Sequence, residues 1–242
     1  MKNLFKSFVT IVSMVFFSSM SLLAQKPFYP TEKGTIVEYA EKNGKGKIES
    51  YTRQTITEFE GSDINNCTIY FLHEFFDKNK KREKNQSDVT IPIKIKDGAV
   101  HIDFTPLFEK AMREEGQSME VEANLTGETL DIPSNLQIGQ KLKDYTVIFN
   151  ISAQGMSGQN ILTLSNRKVT AQEKITVEAG TFDCYKIEYE EGSVMEMMGM
   201  KMNGPKGKVT EWIAREIGPI LTERYDNKGK LISKSELVSV SK

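Results

Sequence analysis

Short runs of alternating apolar and polar residues dominate the chain from about residue 35 onward. Runs with a period of two, separated by Gly, Asn and Asp, are typical of antiparallel β structure. The clearest example is residues 89–104, where Asp97-Gly98 separates two alternating segments. Pairing across this two-residue turn sets Ile95 opposite Val100 and keeps the apolar side chains on one face. The pattern therefore predicts a β-hairpin.

The same alternation predicts eleven further strands. They cover residues 35–41, 47–60, 66–77, 119–125, 142–153, 160–171, 174–179, 182–198, 208–215, 221–225 and 231–240. This number exceeds the needs of a small sandwich and is enough to curl into a barrel. One helix is predicted, with Thr105 as N-cap, Pro106 at the first helical position and Gly116 as its stop. The predicted fold is mainly β and antiparallel, a partly open barrel or half-barrel with one short helix.

The first 24 residues differ from the rest. Lys2 and Lys6 precede an apolar stretch, and the small residue Ala24 precedes Gln25, which is the three-part layout of a cleaved secretory signal. The stretch is short and interrupted by Ser, whereas a membrane span needs about 20 apolar residues, so an uncleaved anchor is the weaker alternative. We predict a signal peptide at residues 1–24, with cleavage at about Ala24. The mature chain is then exported, periplasmic or extracellular, without a membrane span.

The mature chain, residues 25–242, is predicted to be a single β-rich domain. A division into two lobes near residues 131–139 is the alternative, because Pro133-Ser134-Asn135 interrupts the strands there. The 32 Lys and Arg residues nearly balance the 33 Asp and Glu residues, so no nucleic-acid partner is predicted. Cys67 and Cys184 could form one disulfide in an oxidising compartment, the alternative being two buried free thiols.

Known catalytic signatures are absent from the sequence. It contains no nucleophile elbow, zinc-binding HExxH, phosphate loop or dinucleotide fingerprint, and its only histidines are His73 and His101. His101 and Asp103 share a strand face and could form a dyad, but two solvated strand residues explain the spacing better. We therefore predict no catalytic residue, no bound metal and no cofactor, and expect that the chain is not an enzyme.

Methionines concentrate in one place. Five of the chain's 11 methionines lie within eight residues: Met195, Met197, Met198, Met200 and Met202. Thioethers favour Cu(I), so copper handling is one interpretation. The run contains no His or Cys, and Met is also the adaptable apolar residue of binding surfaces. We predict that these five residues line an apolar ligand surface.

Three longer stretches carry a family resemblance. They are Leu130-Asp-Ile-Pro-Ser-Asn-Leu-Gln-Ile-Gly139, Val177-Glu-Ala-Gly-Thr-Phe-Asp-Cys-Tyr-Lys-Ile187 and Glu211-Trp-Ile-Ala-Arg-Glu-Ile-Gly218. Together they resemble the exported bacterial proteins grouped as the Domain of Unknown Function 3108-like family. The resemblance implies a β-rich, incompletely closed barrel, and it implies no activity.

The functional prediction combines the many strands with their apolar residues. Residues 66–77 place apolar side chains on both faces of one strand, and a half-barrel of such strands offers a concave apolar surface. We predict a non-enzymatic envelope or secreted protein that binds or carries an apolar or lipid-like ligand. The alternative is a structural or protein-interaction component of the cell envelope, whose open sheet edge pairs with a strand of an envelope protein.

Overall fold

The computed structural model describes residues 25–83, 87–104, 106, 125–127, 129–153, 156–197 and 199–242. Within these residues the chain forms thirteen strands: β1 (Ile36–Asn43), β2 (Ile48–Asp63), β3 (Asn66–Asp77), β4 (Val89–Lys96), β5 (Ala99–Ile102), β6 (Leu125–Gly127), β7 (Leu130–Ile132), β8 (Tyr145–Ala153), β9 (Met156–Val177), β10 (Gly180–Met197), β11 (Met200–Ala214), β12 (Gly218–Asp226) and β13 (Leu231–Ser241). The described part has no helix long and apolar enough to cross a membrane. Apart from Pro106 and Leu125, the predicted signal peptide, helix and 119–125 strand lie outside the described residues.

All the strands belong to one antiparallel sheet. Its order is β6-β8-β9-β10-β11-β12-β13-β1-β2-β3-β4-β5-β7. The two edge strands, β6 and β7, follow one another in the chain, with only two residues between Gly127 and Leu130. Three Cα steps span at most about 11 Å, so the two edges of the sheet must come together here. The sheet therefore curls into a nearly closed barrel, which confirms the predicted antiparallel β fold.

We call the line where β7 meets the β6–β8 edge the seam, and one buried side chain spans it. Arg167 of β9 is only 3% exposed. Its guanidinium donates from Nη1 to the carbonyl oxygen of Lys143, just before β8, at 2.6 Å, and from Nη2 to that of Asp131, in β7, at 3.2 Å. Apolar side chains from both sides also pack together there: Phe104 and Leu130 against Tyr145, Val147 and Phe149. The seam is thus held by side chains where strand-to-strand ladder bonds are few.

The predicted hairpin is confirmed in detail. Strands β4 and β5 pair with Ile95 opposite Val100 and Ile93 opposite Ile102. The two turn residues both have positive φ, 50° at Asp97 and 75° at Gly98, as a type I′ turn requires. The apolar side chains consequently share the face that is buried in the barrel.

The long strands differ from the prediction. The segments predicted as two strands, 160–171 and 174–179, form the single strand β9. Its register against β10 shifts twice, each time with an extra residue on β9, and Asn166 takes a left-handed φ of 57° at one of these bulges. Strand β11 begins at Met200, eight residues before the predicted start. The result is a long three-stranded part in which β9, β10 and β11 extend past their neighbours.

The segment ahead of β1 closes one end of the barrel. Phe28 is completely buried and packs edge-on against Tyr185 with ring centroids 5.8 Å apart. The guanidinium of Arg215 lies 4.5 Å from the Phe28 ring and donates hydrogen bonds to the carbonyl oxygens of Lys26 at 2.5 Å and Ser134 at 2.8 Å. Residues 27–30, which are buried, therefore belong to the core of the fold.

Replacing Phe28 by Ala should lower the free energy of unfolding by about 3–5 kcal/mol, because the large cavity left in a packed core cannot fully collapse. Ile138, which is 65% exposed, provides a matched control: Ile138→Ala should change stability by less than about 0.5 kcal/mol. Urea denaturation of both variants measures the difference. A Phe28→Ala protein as stable as the control would contradict the role of this segment.

Candidate functional site

Strand β10 determines which side chains point into the barrel. Every register shift along β10 places the extra residue on β9 or β11. The side chains of β10 therefore alternate between the two faces of the sheet without interruption. Ile187 is 1% exposed and belongs to the main hydrophobic cluster, so its face is the interior one. By the period of two, the same face carries the following residues. We call them, with Ile187, the interior column: Tyr189, Glu191, Ser193, Met195 and Met197.

A group of polar side chains lies near the end of this column that carries Ile187 and Tyr189. Glu211 of β11 lies opposite Ile187, and Arg224 of β12 lies opposite Val209, which itself pairs with Tyr189. Val209 is 1% exposed, which places this face inside the barrel. We call the following residues the polar layer: Arg167, Tyr189, Glu191, Glu211 and Arg224.

Burial controls the electrostatics of the polar layer. It raises the pKa of Glu211, an effect that the nearby positive charges of Arg167 and Arg224 oppose. Burial also lowers the pKa of Arg167, and together with the charge of Glu211 it raises the pKa of Tyr189, which stays protonated. A buried charge is stable only when neighbouring charges or hydrogen bonds replace water. The layer therefore depends on its internal pairing.

Part of that pairing is made within the protein. Arg224 Nε donates to Glu191 Oε2 at 3.3 Å. Glu41 of β1, whose pKa is raised by burial, accepts a hydrogen bond from Ser235 Oγ at 2.7 Å. The two terminal nitrogens of Arg167 are used by the carbonyl oxygens at the seam.

Two groups of the layer keep hydrogen-bonding capacity. Arg167 Nε is buried without a hydrogen-bond partner. Among the described residues, no group donates to the carboxyl group of Glu211, although its burial is deep enough to raise its pKa. Part of the Glu211 surface nevertheless stays open. Since buried polar groups are almost always hydrogen-bonded, these two groups mark the polar part of a candidate binding site.

The predicted methionines lie at the other end of the interior column. Met195 is opposite Met202, and Met197 is opposite Met200, across the tip of the β10–β11 hairpin. We call these four residues the methionine block; Met198 lies outside the described residues. Met200 is 65% exposed and Met202 is 50% exposed, whereas Met195 and Met197 are partly buried. The structure thus brings four of the five predicted residues together on the interior face.

Strands β8 and β9 continue this face sideways. Asn160 pairs with Met195 on one side and with Phe149 on the other, without a register shift. Phe149 is 2% exposed and packs with Leu162 and Leu164. The methionine block is therefore the exposed end of a mainly apolar wall that runs down to the polar layer. This wall includes Asn160, whose Oδ1 is buried without a hydrogen-bond partner.

The two histidines lie in different surroundings. His101 Nδ1 lies 2.7 Å from Asp131 Oδ1, the residue opposite it in β7, so its carboxylate partner is Asp131 and not Asp103. Thr129 Oγ1 donates to the same carboxylate oxygen at 2.7 Å. No described hydroxyl or thiol bonds to the other ring nitrogen, as a catalytic triad requires. His73 stacks edge-on against Phe71 at 6.5 Å.

The cysteines are two free thiols in different clusters. Cys67 belongs to the main cluster, and Cys184 packs with Trp212 in a second one. Burial raises the pKa of Cys184 to about 11, so it packs as a small apolar residue. The structure therefore favours the free-thiol alternative. The described residues also hold no group of three or more His, Cys, Asp and Glu side chains that could bind a metal.

The polar layer escaped the sequence analysis, although a signal for it exists. Glu211 alternates with Val209 and Ile213, and Arg167 stands two residues before Val169. A charged residue in phase with core-facing apolar residues indicates a charge inside the barrel. That signal locates single charges, but it does not show which of them meet across distant strands.

Two solved structures share this fold. One is a proposed exported protein with a YmcC-like fold from Bacteroides fragilis NCTC 9343, which aligns with 90% of this chain and 100% of its own at a TM-score of 0.67 and 18% identity. The other is a proposed lipoprotein from Parabacteroides distasonis ATCC 8503, which aligns over 89% of this chain and 99% of its own at a TM-score of 0.68 and 18% identity. No curated protein matches the chain significantly.

The family comparison covers most of the sequence. The model of the DUF3108-like family matches residues 32–237. This range contains every strand of the sheet except the last residues of β13, and it includes both the polar layer and the methionine block. The sequence resemblance is thereby confirmed, and the chain belongs to the DUF3108-like family.

Proposed function

We propose that the protein is a non-enzymatic, exported envelope or secreted protein that binds or carries an apolar or lipid-like ligand in its barrel. The observation that carries the proposal is the position of the methionine block. Its four side chains continue the interior column of β10 and do not point away from the barrel. The block is therefore the entrance of an interior face.

The exposure and chemistry of the block favour an apolar ligand. Met200 and Met202 expose half or more of their surface beside other apolar residues, and contiguous exposed apolar side chains usually mark a binding surface. Unbranched thioether side chains adapt to differently shaped apolar partners. From Met195 to Ile187 the column spans eight residues, or roughly 26 Å at 3.3 Å per residue, which is long enough for a lipid acyl chain.

Export is supported from two sides. The first 24 residues have the layout of a secretory signal, and the two similar structures are a proposed exported protein and a proposed lipoprotein. The non-enzymatic part of the proposal is supported by the His101–Asp131 pair, in which the neighbouring Thr129 hydroxyl bonds to the carboxylate and not to the imidazole ring.

A second candidate is a protein-interaction role at an open sheet edge. Strand β12 pairs with β11 only from Gly207 onward, so residues 200–206 have no described neighbour on that side. This edge contains Pro205 and carries Lys201 and Lys206. Proline and lysine are the residues with which proteins protect an edge from pairing, so we favour the carrier.

Native mass spectrometry of the protein extracted from its own envelope should show a lipid-sized adduct on part of the population, because the interior face is expected to retain its ligand. Solvent extraction should then return the mass of the polypeptide. A preparation that consistently has the polypeptide mass alone, and takes up no lipid afterwards, would contradict the carrier function.

The methionine block separates the carrier from the copper interpretation. Replacing Met195, Met197, Met200 and Met202 by Leu changes volume little and keeps the surface apolar. The quadruple variant should retain the lipid adduct within about threefold of wild type, because its surface stays apolar and of similar volume.

Cu(I) competition titration under reducing conditions provides the opposite test, because the Leu variant lacks the thioether donors. Weak Cu(I) binding by both proteins is expected. Tight binding by wild type that disappears in the Leu variant, together with an unchanged adduct level, would identify copper as the ligand of the block.

A further inference from the structure

We infer that the polar layer binds the head group of the ligand, and that this head group is a neutral hydroxyl or amide and not an ionised carboxylate or amine. This inference rests on the proposed carrier function and names its ligand class. It follows from three features: the position of the layer along the interior column, its unused hydrogen-bonding groups and its charge balance.

The layer lies at the correct depth for a head group. Tyr189 is six residues before Met195 on the uninterrupted strand β10, or roughly 20 Å farther along the column. Leu162 and Leu164 lie between these levels, beside Ser193 and Glu191 of the column, whereas Phe149 lies level with Met195. A lipid whose tail contacts the methionine block would therefore place its polar end against Tyr189 and Glu211.

The groups left unused in the layer are of two kinds. Arg167 Nε is a buried donor without a partner. Glu211 offers carboxyl oxygens, to which no described group donates. A hydroxyl or an amide both donates and accepts hydrogen bonds, so one such group could bond to Glu211 and Arg167 together.

The charges of the layer leave no free counter-ion for an ionised ligand. Arg224 is paired with Glu191 at 3.3 Å, and Arg167 and Glu211 each affect the pKa of the other through their opposite charges. Glu41, from the facing strand β1, is near Arg224 and already bonded to Ser235. A carboxylate would meet Glu211 and Glu191, and an ammonium group would meet the two guanidiniums. Either would lose its hydration without an unpaired partner, which is costly in a protein interior.

The test compares three probes that share a 16-carbon chain: monopalmitoylglycerol, palmitate and hexadecylamine. Each is titrated into the delipidated mature protein at neutral pH, below its micelle concentration, by isothermal calorimetry. Monopalmitoylglycerol should bind at least about tenfold more tightly than either ionised probe, since burying an unpaired charge costs several kcal/mol and each tenfold is about 1.4 kcal/mol.

Glu211→Gln removes one negative charge from the layer. The variant keeps the size of the side chain and one acceptor oxygen, but it removes the carboxylate that acts most strongly on the Arg167 charge. Palmitate affinity should rise about tenfold. Monopalmitoylglycerol affinity should not rise, because this ligand loses one acceptor and has no charge to pair. Glu188→Gln is the matched control. Glu188 follows Ile187, the β10 residue opposite Glu211, but it lies on the other face of β10, and its side chain is 46% exposed. It should change neither affinity.

The possible failures are distinguishable. Palmitate or hexadecylamine binding to wild type as tightly as monopalmitoylglycerol would overturn the neutral head group and leave the carrier function standing. Binding of none of the three probes, in a protein that also carries no lipid from its envelope, would overturn both proposals. A Glu211→Gln protein that does not fold leaves the comparison of probes on wild type as the deciding measurement.

Discussion

One guanidinium inside the barrel bonds to both sides of the sheet's seam, and the enclosed interior depends on that closure. The chain passes from one edge strand to the other in the two residues between Gly127 and Leu130, so the edges must lie side by side. Arg167 donates to the carbonyl oxygens of Asp131 and Lys143, one on each side. Without closure, the faces of β9, β10 and β11 would be the open side of a curved sheet, and Glu211 would be hydrated.

The same residue connects the architecture with the site. The terminal nitrogens of Arg167 hold the seam, while its Nε has no hydrogen-bond partner and its charge lowers the pKa of Glu211. Holding a charge in the interior is costly unless it is bonded on several sides, and Arg167 meets this requirement only when the barrel is closed. The seam and the polar layer are therefore coupled, and the methionine block lies at the opposite end of the interior column.

Local patterns in the sequence predicted most of the strands. Features that depend on the pairing of distant strands could not be predicted from them. The hairpin at residues 89–104 and strand β3 were readable because alternation and turn residues act over a few positions. Strand β7 was missed because three residues carry no measurable period, and β9 was divided because bulges such as that at Asn166 reset its alternation. The polar layer unites side chains from four strands, and the pairing of distant strands is set by closure rather than by spacing along the chain.

Hydrogen–deuterium exchange of Arg167→Met against wild type tests the central role of the seam most directly. Met fills most of the same volume without the guanidinium donors. The account predicts markedly faster amide exchange in β6, β7 and residues 139–144, with β1, β12 and β13 nearly unchanged, because only the seam loses its bonds. Unchanged protection at the seam, or an equal loss in every strand, would contradict the claim that Arg167 holds the barrel closed.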